Sequence, residues 1–106
     1  MITGMGVVSP NGAGNAAFSE GVLQGRSGVR RISRFDSGEI PVQIAGEVPD
    51  FDELAWVEKR DRKHVSRVLP LALAAATEAL GNAGFDPASM PIGQRRRFGV
   101  IIGSGG

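Results

Sequence analysis

The chain has 106 residues, of which 42% are apolar and 22% are charged, a balance typical of a folded domain rather than a disordered segment. Its formal charge is +1, so the chain as a whole gives no case for binding nucleic acid or a membrane surface. It contains no cysteine, which excludes a disulfide, a cysteine metal site and a thiol nucleophile from these residues.

The first residues lack the pattern of an export signal. Residues 1–6 contain no basic segment followed by an apolar stretch. No apolar run reaches the roughly 18–20 residues that a membrane span needs. We therefore expect a cytoplasmic protein that has no membrane partner.

Glycine is the unusual feature of the composition. The 16 glycines are about twice the average share, and most of them lie beside apolar runs rather than in a flexible linker. This placement favours tight strand-to-helix turns and close backbone packing. The fold class predicted from the sequence is therefore α/β.

The N-terminal quarter predicts a strand followed by a helix. The apolar, β-branched segment from Ile2 to Val8 predicts a buried first strand, and residues 9–12 predict the turn that closes it. A short helix is expected next, capped by Asn15 and extending to Gln24. Gly25 is its expected stop.

The middle of the chain is less regular in pattern. Residues 26–39 are predicted to form an irregular connection that carries four arginines. Val42 to Val48 predicts a second, short strand. Residues 50–53 predict an acidic turn that leads into helix.

A long apolar helix is predicted over residues 68–83. Apolar side chains cover nearly all of its faces, which is typical of a helix buried between other elements. Pro70 would break a helix interior, but it is tolerated in the first turn if Ser66 is the cap. Gly84 predicts a left-handed stop, with Phe85 in apolar contact with the last turn.

Phe98 to Ile102 predicts a third strand, buried on both faces, that ends in a glycine turn. A strand and a helix of this kind need covering layers, and 106 residues with these elements do not supply them. The pattern therefore predicts a fragment of a larger fold.

Several motifs have a structural alternative that we prefer. Residues 4–9 fall one glycine short of the dinucleotide-binding fingerprint because Ser9 holds the third position, so close backbone packing is the preferred interpretation. Ser104 lacks the spacing of a hydrolase nucleophile and is interpreted as a turn residue. His64 has no metal-ligand spacing and is interpreted as a surface residue.

A basic cluster precedes the long helix and has two interpretations. It is either a solvated helix face or a docking patch for an acidic partner, since cations grouped on one face steer association. Residues 95–97 form a second, weaker cluster that we interpret as loop solvation. The cations of the first cluster are Lys59, Arg60, Arg62, Lys63 and Arg67.

Six segments spread over the whole chain match one protein family in order and spacing. They are Ile2 to Gly12, Leu23 to Val29 with its Gly25-Arg26-Ser27-Gly28 stretch, Arg34-Phe35-Asp36, Ile44 to Val48, Ala79-Leu80 with Ala83-Gly84, and Phe98 to Gly105. Together they resemble the N-terminal part of β-ketoacyl-(acyl-carrier-protein) synthases of the elongating type.

The resemblance implies a thiolase-like fold of layers αβαβα, of which residues 1–106 would be an incomplete N-terminal fragment of the N-terminal domain. It implies a homodimer, no cofactor or metal, and decarboxylative condensation of an acyl thioester with malonyl-acyl carrier protein in fatty-acid or polyketide synthesis. The cysteine and two histidines of such enzymes lie beyond residue 106. Hence no catalytic residue is assigned here, and the fragment alone is expected to be inactive.

The resemblance also implies a partner surface. Lys59, Arg62 and Lys63 align with basic residues that help to dock the acidic acyl carrier protein in this family. Two departures from the family pattern, Pro70 and Val65, affect how the following helix begins and hence where Lys63 points.

A second implied site is the glycine turn Gly103, Ser104 and Gly105, which would lead toward the acyl pocket near the dimer interface. Two further hypotheses remain open at this point. One is a non-catalytic partner subunit of the chain-length-factor type, because the position that decides between them is not in the chain. The other, a free-standing nucleotide-binding domain, depends only on the glycine turns.

Overall fold

The structure is a computed structural model that describes residues 1–48 and 50–104. Within these residues the chain is mixed α/β and forms two antiparallel hairpins, β1 with β2 and β3 with β4. None of the helices described is long and apolar enough to cross a membrane. The elements are β1 (Val8–Ser9), β2 (Gly12–Ala13), α1 (Asn15–Leu23), β3 (Val29–Arg31), β4 (Ile44–Gly46), α2 (Val68–Asn82) and α3 (Ile92–Arg95), with 3-10 turns at Glu53–Ala55 and Pro87–Ser89.

The long helix α2 begins and ends within one residue of its predicted limits. Pro70 is the third residue of the helix and is fully buried, so its missing N–H falls in the first turn as expected. The cap is one residue later than predicted: Arg67 occupies it. Ser66 still contributes to the helix start, because its Oγ accepts the Val68 N–H at 3.4 Å and its carbonyl accepts the Leu69 N–H at 3.0 Å.

Both longer helices end at the glycines predicted to stop them. Gly25 and Gly84 each adopt a φ of +63°, a conformation that side-chain-bearing residues rarely adopt. After α2, the Phe85 N–H donates to the Leu80 carbonyl at 2.9 Å, which closes the helix in the manner of a Schellman motif. The two predicted stops are confirmed.

The start of α1 differs from the prediction. Gly14, with a φ of +93°, occupies the cap position, and Asn15 is the first residue inside the helix. The Asn15 side chain donates to the Met5 carbonyl at 2.6 Å instead of capping its own helix. The first turn is capped from outside, because the Asn15 N–H donates to Glu78 Oε1 of α2 at 2.6 Å.

The predicted strand over Ile2 to Val8 is wrong for all but its last residue. Residues 2–7 lie along α2 in extended chain, and within the described residues no strand pairs with them. Their glycines permit this approach, because a methyl group on Gly6 would lie 2.7 Å from the Ala79 N and would overlap the Ala75 carbonyl. These glycines therefore permit the close backbone packing that the sequence analysis preferred.

The second hairpin corrects another prediction. Residues 26–39 were expected to be irregular, but they contain β3, which pairs with β4 so that Arg30 faces Ala45 across the ladder. β4 lies inside the predicted strand 42–48. The β3 segment is hard to recognise because two of its three residues are arginines and all three are exposed, so no apolar alternation marks it.

A single carboxylate ties the two arms of this hairpin beyond the ladder. Glu47 accepts hydrogen bonds from the Ser33 hydroxyl at 2.7 Å, from the Ser33 N–H at 2.9 Å and from the Arg34 N–H at 3.2 Å. These donors, the Ser33 hydroxyl first, lower the pKa of Glu47 below its ordinary value of 4.5. The residues after the arginine strand are thus fixed against β4.

The predicted third strand, Phe98 to Ile102, is also wrong for this chain. Residues 98–102 have no regular secondary structure and are exposed, Ile101 almost completely, at 99%. Only Phe98 is partly held, with its ring edge-on to Phe85 at a centroid separation of 4.7 Å. An apolar run becomes a buried strand only when neighbouring strands pair with it, and none does among the described residues.

The exposed surface is larger than a compact domain of this size has. The chain exposes 8209 Å², against about 5,700 Å² expected for a folded monomer of its mass. Its radius of gyration is 16.6 Å, where about 13 Å is typical of a compact chain of this length. The apolar helix α2 leaves Leu73 and Leu80 partly in solvent, which agrees with the prediction that these 106 residues do not supply its covering layers. Many large apolar side chains are exposed on this surface, among them Ile2, Leu23 and Ile101.

Candidate docking surface

The predicted acidic turn is present and begins the segment that carries the basic cluster. Asp52 caps the 3-10 turn at Glu53–Ala55, its Oδ1 accepting the Leu54 N–H at 2.9 Å. The chain then continues in successive turns rather than in a helix, and the Glu58 carbonyl accepts the Arg62 N–H at 3.1 Å. We call residues 58–64 the basic turn. The interpretation of this cluster as a solvated helix face is therefore wrong about the helix, and the docking interpretation stays a prediction.

Glu53 is the central ionic group beneath the basic turn. Its side chain is only 12% exposed and forms ion pairs with the guanidinium groups of both Arg62 and Arg67. The Arg67 Nη1 lies 3.2 Å from the Glu53 carboxylate, and its Nη2 donates to the Val48 carbonyl at 2.9 Å. One carboxylate thus connects the basic turn to the residue that precedes α2.

The other cations of the cluster lie in solvent. Arg60 pairs with Glu58 at 2.9 Å and with Asp61 at 3.6 Å, and all three side chains are more than half exposed. Such pairs contribute little stability, about 0–1 kcal/mol. Lys59 and Lys63 are exposed, and the structure gives them no carboxylate partner in the part of the chain that it describes.

The three predicted docking residues are therefore on one turn but in two environments. Lys59 and Lys63 present their ammonium groups to solvent, whereas Arg62 is half-buried and paired with Glu53. Their docking role stays a prediction. The sequence interpretation missed Glu53 and included Arg67 only as one more cation. Glu53 pairs with residues nine and fourteen positions further along the chain, and no local periodicity connects residues at these separations.

The second predicted site is less defined. Gly103 and Ser104 are exposed and outside any helix or strand, and Gly105 lies outside the described residues. An apolar groove of about 640 Å³ lies just before them, between the N-terminal segment, α2 and residues 98–101. The role of this turn at an acyl pocket stays a prediction.

One sequence candidate remains, the single histidine. His64 is exposed, as expected, and in the described ranges no group of three or more histidine or acidic side chains could hold a metal ion. The basic turn is thus a charged surface.

The chain belongs to the β-ketoacyl synthase family. The family model "Beta-ketoacyl synthase, N-terminal domain" matches residues 1–106. The solved structure "The ishigamide ketosynthase/chain length factor" is similar at a TM-score of 0.70 and 37% identity, over 84% of this chain and 22% of that one. The predicted resemblance is confirmed.

Curated relatives come from both fatty-acid and polyketide synthesis. The chain is 36% identical to 3-oxoacyl-[acyl-carrier-protein] synthase II, chloroplastic, of Arabidopsis thaliana over 98% of its own length and 19% of the relative. It is 41% identical to the tetracenomycin polyketide synthase ketoacyl synthase alpha subunit of Streptomyces glaucescens, over 98% of its own length and 24% of the relative. The beta subunit of the same synthase is 40% identical over 82% of this chain and 21% of that subunit. The chain thus spans about a fifth to a quarter of the length of these relatives.

Proposed function

We propose that residues 1–106 are the N-terminal part of a 3-oxoacyl-(acyl-carrier-protein) synthase, a condensing acyltransferase of fatty-acid or polyketide synthesis. The observation that carries the proposal is the family match over all 106 residues, with relatives that bear this activity in their names. The proposed complete fold is the layered thiolase-like αβαβα arrangement. The proposed assembly is a cytoplasmic homodimer.

The exposed apolar surface supports the proposal that further layers cover this part. The N-terminal segment, α2 and residues 98–101 enclose a groove lined by Leu80, Phe85 and Phe98 that opens to solvent. Burying apolar surface contributes about 25 cal/mol per Å², so leaving it in water costs stability that additional strands and helices would recover. The remainder of the polypeptide is the proposed cover.

The proposed chemistry uses a nucleophile that these residues do not contain. An acyl group passes from the carrier's thiol to an enzyme cysteine, with release of the carrier thiol. A malonyl thioester then loses CO₂, and the resulting carbanion attacks the acyl carbonyl, so that a carbon–carbon bond forms and the cysteine leaves as a thiolate. Cysteine suits both steps because its thiolate is a strong nucleophile and a good leaving group. Residues 1–106 would contribute scaffold and docking surface.

The activity is tested on the full-length protein with acyl- and malonyl-carrier substrates. We expect one CO₂ released per 3-oxoacyl product and a covalent acyl-enzyme, and we expect the acyl-enzyme and the product to disappear when a cysteine beyond residue 106 is replaced by alanine. Mass spectrometry of the acylated protein and product analysis measure this. If the full-length protein forms neither acyl-enzyme nor product, alone or with a partner subunit, the proposal is wrong.

A second candidate is a non-catalytic subunit that pairs with an active ketosynthase. The sequence similarity supports this candidate, because the chain is 40% identical to a polyketide beta subunit and 41% identical to the alpha subunit of the same synthase. In the same assay this subunit would not be acylated alone, and condensation would require its partner.

The proposed partner of the basic turn is the acidic acyl carrier protein. Lys59 and Lys63 support this proposal since they are exposed cations without an acidic partner in the described residues. We expect Lys59→Gln with Lys63→Gln in the full-length protein to weaken carrier binding about 10-fold at low salt, because unscreened charge pairs at an interface contribute both steering and affinity. The loss should shrink as salt is raised. Titration calorimetry measures the affinity.

The matched control removes the same charge from the other basic cluster. Arg95→Gln with Arg96→Gln lowers the net charge equally but lies in and directly after α3, away from the basic turn in sequence. We expect its effect on carrier affinity to be under twofold. Equal losses for both pairs would assign binding to net charge alone, and no loss for the lysine pair would leave the basic turn a solvated surface.

A further inference from the structure

The Glu53 carboxylate lies between two arginines from different segments of the chain. At 12% exposure a carboxylate loses most of its hydration, and this loss is tolerated only if opposite charge and hydrogen-bond donors replace the water. Two guanidinium groups supply the opposite charge, Arg62 from the basic turn and Arg67 from the start of α2, although the Arg67 Nη1, 3.2 Å from the carboxylate, forms no hydrogen bond with it. The charge of Arg62 is therefore directed into the protein rather than toward a partner.

The position of Arg62 allows its side chain to fix the backbone that carries the exposed lysines. It precedes Lys63 directly and follows Lys59 by three residues, and its backbone N–H is bonded to the Glu58 carbonyl at 3.1 Å. A fixed Arg62 side chain therefore fixes the backbone that carries both ammonium groups. Because a partner that docks on a preformed surface loses less conformational entropy, this fixation contributes to affinity without a direct contact.

We infer that Glu53 is a positioning residue of the docking surface, which holds the basic turn through Arg62 and Arg67, and that Arg62 acts through Glu53 rather than by touching the carrier protein. This inference rests on the proposed docking function. Under this inference Lys59 and Lys63 contact the carrier protein, whereas Arg62 holds the turn that positions them.

Glu53→Gln in the full-length protein tests the inference through the sign of its effect. The substitution makes the surface more positive, so a purely electrostatic surface, or one in which freed Arg62 contacts the carrier, would bind an acidic partner more tightly. Positioning predicts the opposite, a carrier affinity about 5-fold weaker at low salt. The matched control, Glu58→Gln, makes the same charge change at an exposed acid and should leave affinity equal or slightly higher.

A double-mutant cycle with Arg62→Gln separates indirect from direct action. If Arg62 works through Glu53, its replacement weakens binding in the natural background and has little further effect in the Glu53→Gln background. If Arg62 touches the carrier, the loss is the same in both backgrounds and the inference is overturned. An affinity that rises or stays constant in Glu53→Gln also overturns it.

If the Glu53→Gln variant does not fold, the Arg67→Lys variant tests the positioning role in its place. It keeps the net charge but loses the planar fork that spans Glu53 and the Val48 carbonyl, so a weaker affinity cannot come from long-range electrostatics. We expect a rise in KM for malonyl-carrier substrate of about 3-fold with kcat at saturation unchanged, a division that a general loss of stability does not produce. An unchanged KM in a folded Arg67→Lys variant overturns the inference.

The Lys59→Gln, Lys63→Gln pair distinguishes failure of the inference from failure of the docking proposal. If the lysine pair weakens binding while the Glu53 variants do not, docking stands and positioning is wrong. If the lysine pair has no effect, the docking proposal itself fails, and the positioning role fails with it.

Discussion

Replacing Gly6 by alanine should destabilise the full-length protein by about 3 kcal/mol, the upper range for forcing a methyl group into a packed backbone contact. The added carbon would lie 2.7 Å from the Ala79 N and would overlap the Ala75 carbonyl. Both atoms belong to the backbone of α2, so neither can move without bending the helix. The midpoint of urea unfolding measures the loss.

The same substitution at Gly81 is the matched control and should have the opposite sign. Gly81 lies in the last turn of α2, is exposed, and has no atom within 4 Å of an added methyl group. Alanine there should stabilise the protein by about 0.5 kcal/mol, because it restricts the unfolded chain and favours helix. If Gly6→Ala were as mild as Gly81→Ala, the N-terminal segment would not pack against α2 as described.

Glu78→Gln should cost about 2 kcal/mol, since it removes a charge-assisted acceptor from a half-buried position. The two carboxylate oxygens accept the Val7 N–H at 2.9 Å and the Asn15 N–H at 2.6 Å. An amide offers one acceptor oxygen and turns an N–H₂ group toward the second donor. One backbone N–H, either at the N-terminus of α1 or in the N-terminal segment, therefore loses its partner.

Chemical denaturation gives the change in stability, and hydrogen exchange at the Asn15 amide identifies its origin. Glu20→Gln is the control, because Glu20 is an exposed acid of α1 whose pair with Arg26 spans 3.7 Å. Its effect should stay within about 0.5 kcal/mol. Unchanged protection of the Asn15 amide in Glu78→Gln would mean that Glu78 does not cap α1.

Two parts of this molecule are held together by different contacts. The N-terminal segment, α1 and α2 form a tightly joined unit, in which glycines permit contact and Glu78 satisfies two backbone donors. The basic turn is joined to the residue before α2 through Glu53, which pairs with Arg62 and Arg67. This surface is the one that we propose as the docking site.

Local chemistry determined those features that the sequence predicts well. The stops at Gly25 and Gly84 follow from a conformation that glycine adopts at no steric cost, and the start of α2 follows from the restrictions on Pro70. Each depends on a few adjacent residues, so the sequence alone decides it. The family resemblance was likewise carried by segments in chain order, and the family match confirms it.

Only the tertiary structure decided which groups meet across the chain. The capping of α1 by Glu78, the burial of Glu53 between two arginines and the pairing of β3 with β4 join residues from nine to 63 positions apart. No periodicity encodes such distances. The same reason explains the strands that did not form, because an apolar run specifies a side chain's preference for burial but not the partner strand that would provide it.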